Sequence, residues 1–119
     1  MVLKGSVDIF EAYDRFSKGT KMAENAWDVK VIAKNAQTMK KRYNISFGGN
    51  IVPENMELVD RLFLAGVDML ITSGIYNRDS GTVLHLTEDE LYDSLKKAPK
   101  HLVIGKGNNS CEILPRRTN

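Results

Sequence analysis

This sequence predicts an α+β fold, about four helices with a small antiparallel sheet that includes a C-terminal β-hairpin, and three observations predict it. Apolar residues recur at three- and four-residue spacing along the segments before Gly74, as they do on the buried face of a helix. Beyond Gly74 the pattern changes to short runs, Thr82 to Leu86, Leu102 to Ile104 and Ser110 to Leu114, separated by Gly- and Asn-containing turns. Between those runs, Thr87-Glu88-Asp89-Glu90 has the Thr-x-x-Glu spacing that opens a helix. A chain of 119 residues is enough for one domain with one core, so 1-119 is read as a single domain.

The first helix is expected from Val7 to about Phe16, with Ser6 as its N-cap and Ile9, Phe10, Tyr13 and Phe16 on its apolar face. Lys18-Gly19 ends it. A longer helix follows from about Ala23 to Tyr43. At ~100° per residue its Val29, Ile32, Ala36, Met39 and Tyr43 share one face and Lys30, Lys34 and Lys41 the other. Trp27 falls off that stripe, which assigns it to the first helix or to an outside partner. Ile45 to Ile51 is a linker or short strand ending in a glycine turn, and Pro53 suits a first helical position.

The third helix spans about Glu54 to Thr72 and is apolar nearly all round, with Glu57, Arg61 and Asp68 forming a narrow polar wedge. Such a helix is covered on more than one side. In so short a chain it must be the central element, or one face of a contact made to another domain or subunit. Gly74 stops it. Asn77 to Gly81 is a turn, and the strand Thr82 to Leu86 leads into the capped helix, whose Leu91, Leu95 and Ala98 are expected to face the core until Pro99 ends it. His101 to Gly105 and Ser110 to Leu114 form the closing hairpin around Lys106-Gly107-Asn108-Asn109, which the strand before the capped helix could join. Residues 115-119 are read as a frayed tail.

Composition excludes more than it identifies. A net charge of +2 argues against nucleic acid as a partner, and no run approaches the ~18 apolar residues of a membrane span. The N-terminus lacks the apolar core of a secretion signal, so a cytoplasmic location is expected. Cys111 is the single cysteine and has no disulfide partner. Gly105-Lys106-Gly107-Asn108-Asn109 could cradle a phosphate, but a strand rather than a helix follows, so a hairpin turn is expected. His85, His101 and Cys111 show no ligand spacing, and Cys111 in a strand is expected as a small buried hydrophobe. The carboxylates of Glu88, Asp89 and Glu90 suit a helix N-terminus without chemistry. Lys40-Lys41-Arg42-Tyr43 is basic and next to an aromatic, yet too short to build a phosphate-binding surface. No catalytic, cofactor-binding or metal residue is therefore assigned.

The order of features from Asp8 onward resembles the N-terminal part of the monomethylamine methyltransferase family, corrinoid-dependent enzymes that contain pyrrolysine. The residues that carry the resemblance are Tyr13-Asp14-Arg15 with Lys18-Gly19, Trp27-Asp28, Lys41-Arg42-Tyr43, Leu62-Phe63 with Ala65-Gly66, Met69-Leu70, Gly74-Ile75-Tyr76 and Leu86 to Glu90, continued by Leu102 to Gly107. The resemblance implies a place in methylamine metabolism and methanogenesis, with a methyl group passing from monomethylamine to the cobalt of a corrinoid carried by a partner protein. It also implies that the catalytic (β/α)8 barrel lies downstream of this segment, and the sequence stops about where that barrel should begin. Three readings follow. The chain is a fragment serving a structural or assembly role beside the barrel; or it is a stand-alone assembly module contacting a methyltransferase, a corrinoid protein or a second copy of itself; or it is an unrelated small enzyme using His85, His101 or Cys111. On the first two, Met56 to Ile104 is expected to be a docking platform.

Overall fold

The computed structural model describes residues 7–116. Four helical rods are assembled around a three-stranded sheet, and a separate hairpin closes the chain. Helix α1 (Ile9–Lys18) begins at Asp8, whose Oδ1 accepts from the Glu11 amide at 2.8 Å. The expected cap, Ser6, lies outside the described residues. The second rod runs unbroken through residues 24–42 as α2 (Glu24–Ala26), a seven-residue π-helical segment (Trp27–Ala33) and α3 (Lys34–Arg42). Helix α4 (Met56–Ser73) is capped by Asn55, two residues beyond Pro53, and α5 (Glu88–Lys97) by Thr87. Residues 45–51 form turns and coil rather than a strand.

Strands β1 (Thr20–Lys21), β2 (Ile75–Asn77) and β3 (Thr82–Leu84) pair antiparallel in the order β1-β3-β2, with Val83 opposite both Thr20 and Tyr76. Strand β3 is the centre of the molecule, and Thr82, Val83 and Leu84 are all buried. A strand flanked on both edges and covered by a helix reads as a short continuous apolar run rather than as a clean alternation. Strands β1 and β2 escape sequence detection because they are two and three residues long and carry polar Thr20, Lys21 and Asn77. The β2-β3 turn is an Asx turn: Asn77 Oδ1 accepts from the amides of Asp79 at 2.9 Å and Ser80 at 3.3 Å.

Two glycines bring helix ends against β3. Gly19 closes α1 where any Cβ would strike the Val83 carbonyl. Gly74 closes α4 at φ +80°, where a Cβ would stand 2.5 Å from the Leu84 carbonyl oxygen. The end of each helix is thus fixed to the same strand, which sets the angle between them.

The capping box at α5 forms as its spacing predicts, with the Glu90 amide donating to Thr87 Oγ1 at 3.3 Å and the Thr87 amide to Glu90 Oε2 at 3.0 Å. The closing hairpin also forms: β4 (Leu102–Ile104) pairs with β5 (Cys111–Ile113) around a 3-10 turn at Gly107–Asn109. It remains a separate two-stranded sheet, so the expected joining of β3 to the hairpin is not observed. Strand β3 has both its edges taken by β1 and β2, which leaves none for the hairpin.

Three expectations about facing are reversed. Ile9 and Phe10 are 78% and 82% exposed and Tyr13 is exposed with them, because α1 meets β3 through the neighbouring face that carries Ala12, Arg15 and Phe16. On the second rod Val29 is 68% exposed while Trp27 is buried at 9%, stacked on Tyr76 of β2 with ring centroids 5.5 Å apart. Trp27, Val31, Asn35 and Met39 form the inward row instead, at a constant spacing of four. In an α-helix such a row drifts by about 40° per step, but i→i+5 bonding winds the segment more slowly and keeps the row straight. On α5, Leu95 and Ala98 are exposed, since the helix touches α4 along only one short edge.

Candidate functional site

The residues with reactive side chains do not converge. His85 follows β3 in the central sheet, whereas His101 and Cys111 lie in the closing hairpin. There His101 Nε2 is paired with the Glu112 carboxylate across the strands. Cys111 is exposed, contrary to the expectation of a buried thiol, because the hairpin packs no face against the rest of the chain strongly enough to cover it. Among the described residues no group of three His, Cys, Asp or Glu side chains could hold a metal ion.

Two polar clusters join the helices. In the first, Arg15 of α1 grips Glu90 of α5 with both terminal guanidinium nitrogens, Nη1 to Oε2 at 3.0 Å and Nη2 to Oε1, and Nη2 also donates to Glu11 at 2.6 Å. The Arg15 hydrogen bonds, helped by the Thr87 amide, hold the Glu90 carboxyl down at about 2, and Glu90 in turn pushes the Arg15 guanidinium above its ordinary value. In the second, Asp68 of α4 accepts from Arg42 at 2.5 Å and from the Tyr43 hydroxyl at 3.1 Å. Burial pushes the Asp68 carboxyl up, but these bonds outweigh it and leave it below its usual range; burial and the bond to Asp68 raise the Tyr43 phenol. Of the basic run, then, Arg42 and Tyr43 are engaged within the fold. A bidentate clamp tying α1 to α5 and a carboxylate pinning α3 to α4 are structural arrangements, with no nucleophile beside a base in either.

What the fold does present is apolar surface. A groove of about 650 Å³ lies between α3, α4 and the 45–49 loop, lined chiefly by Met39, Ile45, Phe47, Leu62, Ala65 and Met69. Gly48 and Gly49, both at positive φ, turn the loop so that Phe47 lies along this groove. Ile51 and Val52 stand exposed beyond it. On α4, Phe63 and Leu64 are exposed as well, since α3 covers the Leu58, Ala65 and Ser73 side and α5 reaches only part of the opposite one. Leu102, Val103, Ile104, Ile113 and Leu114 expose both faces of the hairpin. The uncovered surface is therefore wider than the expected platform of Met56 to Ile104 and takes in α1 and the 45–52 loop. Sequence periodicity misses those parts because an apolar helical stripe looks the same whether its cover comes from within the chain or from outside it.

The family model described as monomethylamine methyltransferase MtmB matches residues 7–119. The chain is 32% identical over 116 residues to monomethylamine methyltransferase MtmB1 of Methanosarcina barkeri and 33% identical over 116 residues to MtmB2 of Methanosarcina acetivorans. Each alignment takes in 98% of this chain and 25% of the relative, so the chain spans about a quarter of the length of the relatives it matches. The crystal structure of the Methanosarcina barkeri monomethylamine methyltransferase superimposes with a TM-score of 0.88 at 31% identity, over 97% of this chain and 25% of that one.

Proposed function

Because this chain belongs to the monomethylamine methyltransferase MtmB family, matching its N-terminal part, we propose that it serves as the docking platform of a monomethylamine:corrinoid protein methyltransferase, structural rather than catalytic in itself. In this reading the barrel that performs methyl transfer covers the apolar faces of α1, the α3-α4 groove and the hairpin, and the corrinoid belongs to a partner protein. One observation carries the proposal. The accessible surface is 9767 Å², against about 6,500 Å² for a compact monomer of this mass. Large apolar side chains of α1, α4, the 45–52 loop and the hairpin are among the exposed residues, and exposed apolar surface of that kind supports faces made to be covered.

In this reading the chain itself holds no corrinoid, which the lining of the α3-α4 groove supports, since it offers methionine, leucine and alanine side chains and no imidazole for a cobalt. Nor do the two ion-pair clusters offer an amine-binding site, since their carboxylates are taken up by Arg15 and Arg42.

The test is reconstitution. A relative expressed without the quarter that matches this chain should aggregate or lose methyl transfer, and coexpression with this chain should restore a soluble complex that methylates a corrinoid protein from monomethylamine. The chain alone should give no methyl-cobalt. A truncated relative that works unaided, or turnover by this chain alone, would overturn the proposal.

A further inference from the structure

A second groove, of about 340 Å³, runs between the π-helical segment and the end of α4. Lys30, Lys34 and His85 stand at its exposed rim, with Asn35, Thr72 and Ser73 among its other lining residues, and no carboxylate lines it. We propose that this groove binds a small anion of the phosphate or carboxylate class, held by the Lys30 and Lys34 ammonium groups and the Ser73 hydroxyl.

Three features converge on an anion. Lys30 and Lys34 are four apart on one helical rod, where like charges repel, and neither has an ion-pair partner among the described residues. Ser73 is only 3% exposed, yet its hydroxyl accepts from Asn35 Nδ2 at 3.0 Å while its proton reaches nothing better than the Met69 thioether at 3.8 Å. A thioether is a weak acceptor, so a buried donor remains open to a stronger one. Finally, Lys30 and Lys34 sit in and just after the π-helical segment, a geometry often found where a helix serves a binding site.

The competing role for these lysines is electrostatic. The C-terminal end of α4 carries partial negative charge, and cations nearby would answer it without any ligand. The two roles give different results. In the protein as purified, alone or with a bound partner, inorganic phosphate titrated at ionic strength held constant with chloride should shift the amide resonances of Asn35, Ser73 and His85 saturably, with a Kd on the order of 1 mM. Acetate in a parallel arm assigns the class, according to which anion saturates at lower concentration. The double substitution Lys30→Gln and Lys34→Gln should raise Kd at least about tenfold while leaving Tm in the absence of phosphate unchanged or higher, because a repulsion is removed. Should the double variant fold poorly, Lys34→Gln alone should weaken binding and Lys34→Arg should restore it. Shifts that do not saturate or that chloride reproduces, unaltered binding in the variants, or a loss of Tm with no anion effect would each overturn the site. None of these outcomes depends on whether a barrel covers the apolar faces.

Discussion

Arg15 and Glu90 are seventy-five positions apart in the chain, and their bidentate pair is the main polar link between the first helix and the last. Glu90 is also the third residue of α5 and the acidic member of its capping box, so one carboxylate starts its own helix and holds another. Its folded pKa, about 2, lies below the ordinary 4.5. Between those values the unfolded chain binds the proton that the folded chain refuses. The stability from this group is therefore complete above about pH 5 and is lost as pH falls from there towards 2. Urea unfolding followed from pH 7 to pH 2 should show that loss. In Arg15→Gln the acid slope should flatten, and stability at pH 7 should drop by about 1 to 2 kcal/mol, a value kept modest because solvent still reaches the pair. An acid slope identical in both proteins would mean that the clamp contributes nothing to the fold.

Among the elements, the π-helical segment decides most about the core. It keeps Trp27, stacked on Tyr76 at one end of the rod, in line with Met39 against α4 at the other. Deleting one exposed residue of the segment, Asp28, should let the rod relax to α-helix with Trp27 still in line with Met39, because eleven steps of ~100° close three turns to within about 20°. The near-UV circular dichroism of the Trp27-Tyr76 stack should therefore persist in the deletion variant, whereas Trp27→Ala should abolish it and lower stability by about 3 kcal/mol, the scale of an aromatic side chain lost from a core. A deletion variant that loses the aromatic signal would show that the row is not kept in line by the segment's winding. The same element marks where sequence reasoning succeeds and stops. Thr87 to Glu90, the Gly74 stop and the Lys106 to Asn109 turn are local signals, set by a few neighbouring backbone groups, and all appear as their residues predict. A 100° projection cannot register a π turn, which is why Val29 and Trp27 exchange places. Strand β1 is likewise invisible locally, because it exists only through pairing with a β3 that lies some sixty residues from Thr20 and is held there by Gly19 and Gly74, while β2, though joined to β3 by a tight turn, is too short to show an alternation. Of the candidate site, the apolar character of α4 was legible, but not the exposure of α1, since covering is a property of the assembly.

At the scale of the whole molecule, the radius of gyration is 17.9 Å, against about 13.5 Å for a compact chain of this length. Beyond the α3-α4 contact and the short α4-α5 edge the elements spread apart, and apolar side chains occupy the outward faces of α1, α4 and the hairpin. Water penalises such a surface by about 25 cal/mol per Å², so an open chain in isolation must cover it by self-association or by a partner. X-ray scattering of the isolated chain over a concentration series should give an apparent mass that rises with concentration. Placing charge where the fold has no use for the apolar group separates cover from folding. Phe10 on α1 and Ile51 in the 45–52 loop are both exposed, so Phe10→Lys and Ile51→Lys should each leave far-UV circular dichroism and unfolding midpoint within about 0.5 kcal/mol of the parent. If their faces are covered in the assembly, each substitution should reduce self-association and weaken capture of the truncated relative's barrel, and the larger effect identifies the face nearer the barrel. A parent chain that stays monomeric at every concentration, together with variants that capture the barrel undiminished, would mean that these faces are not docking surfaces.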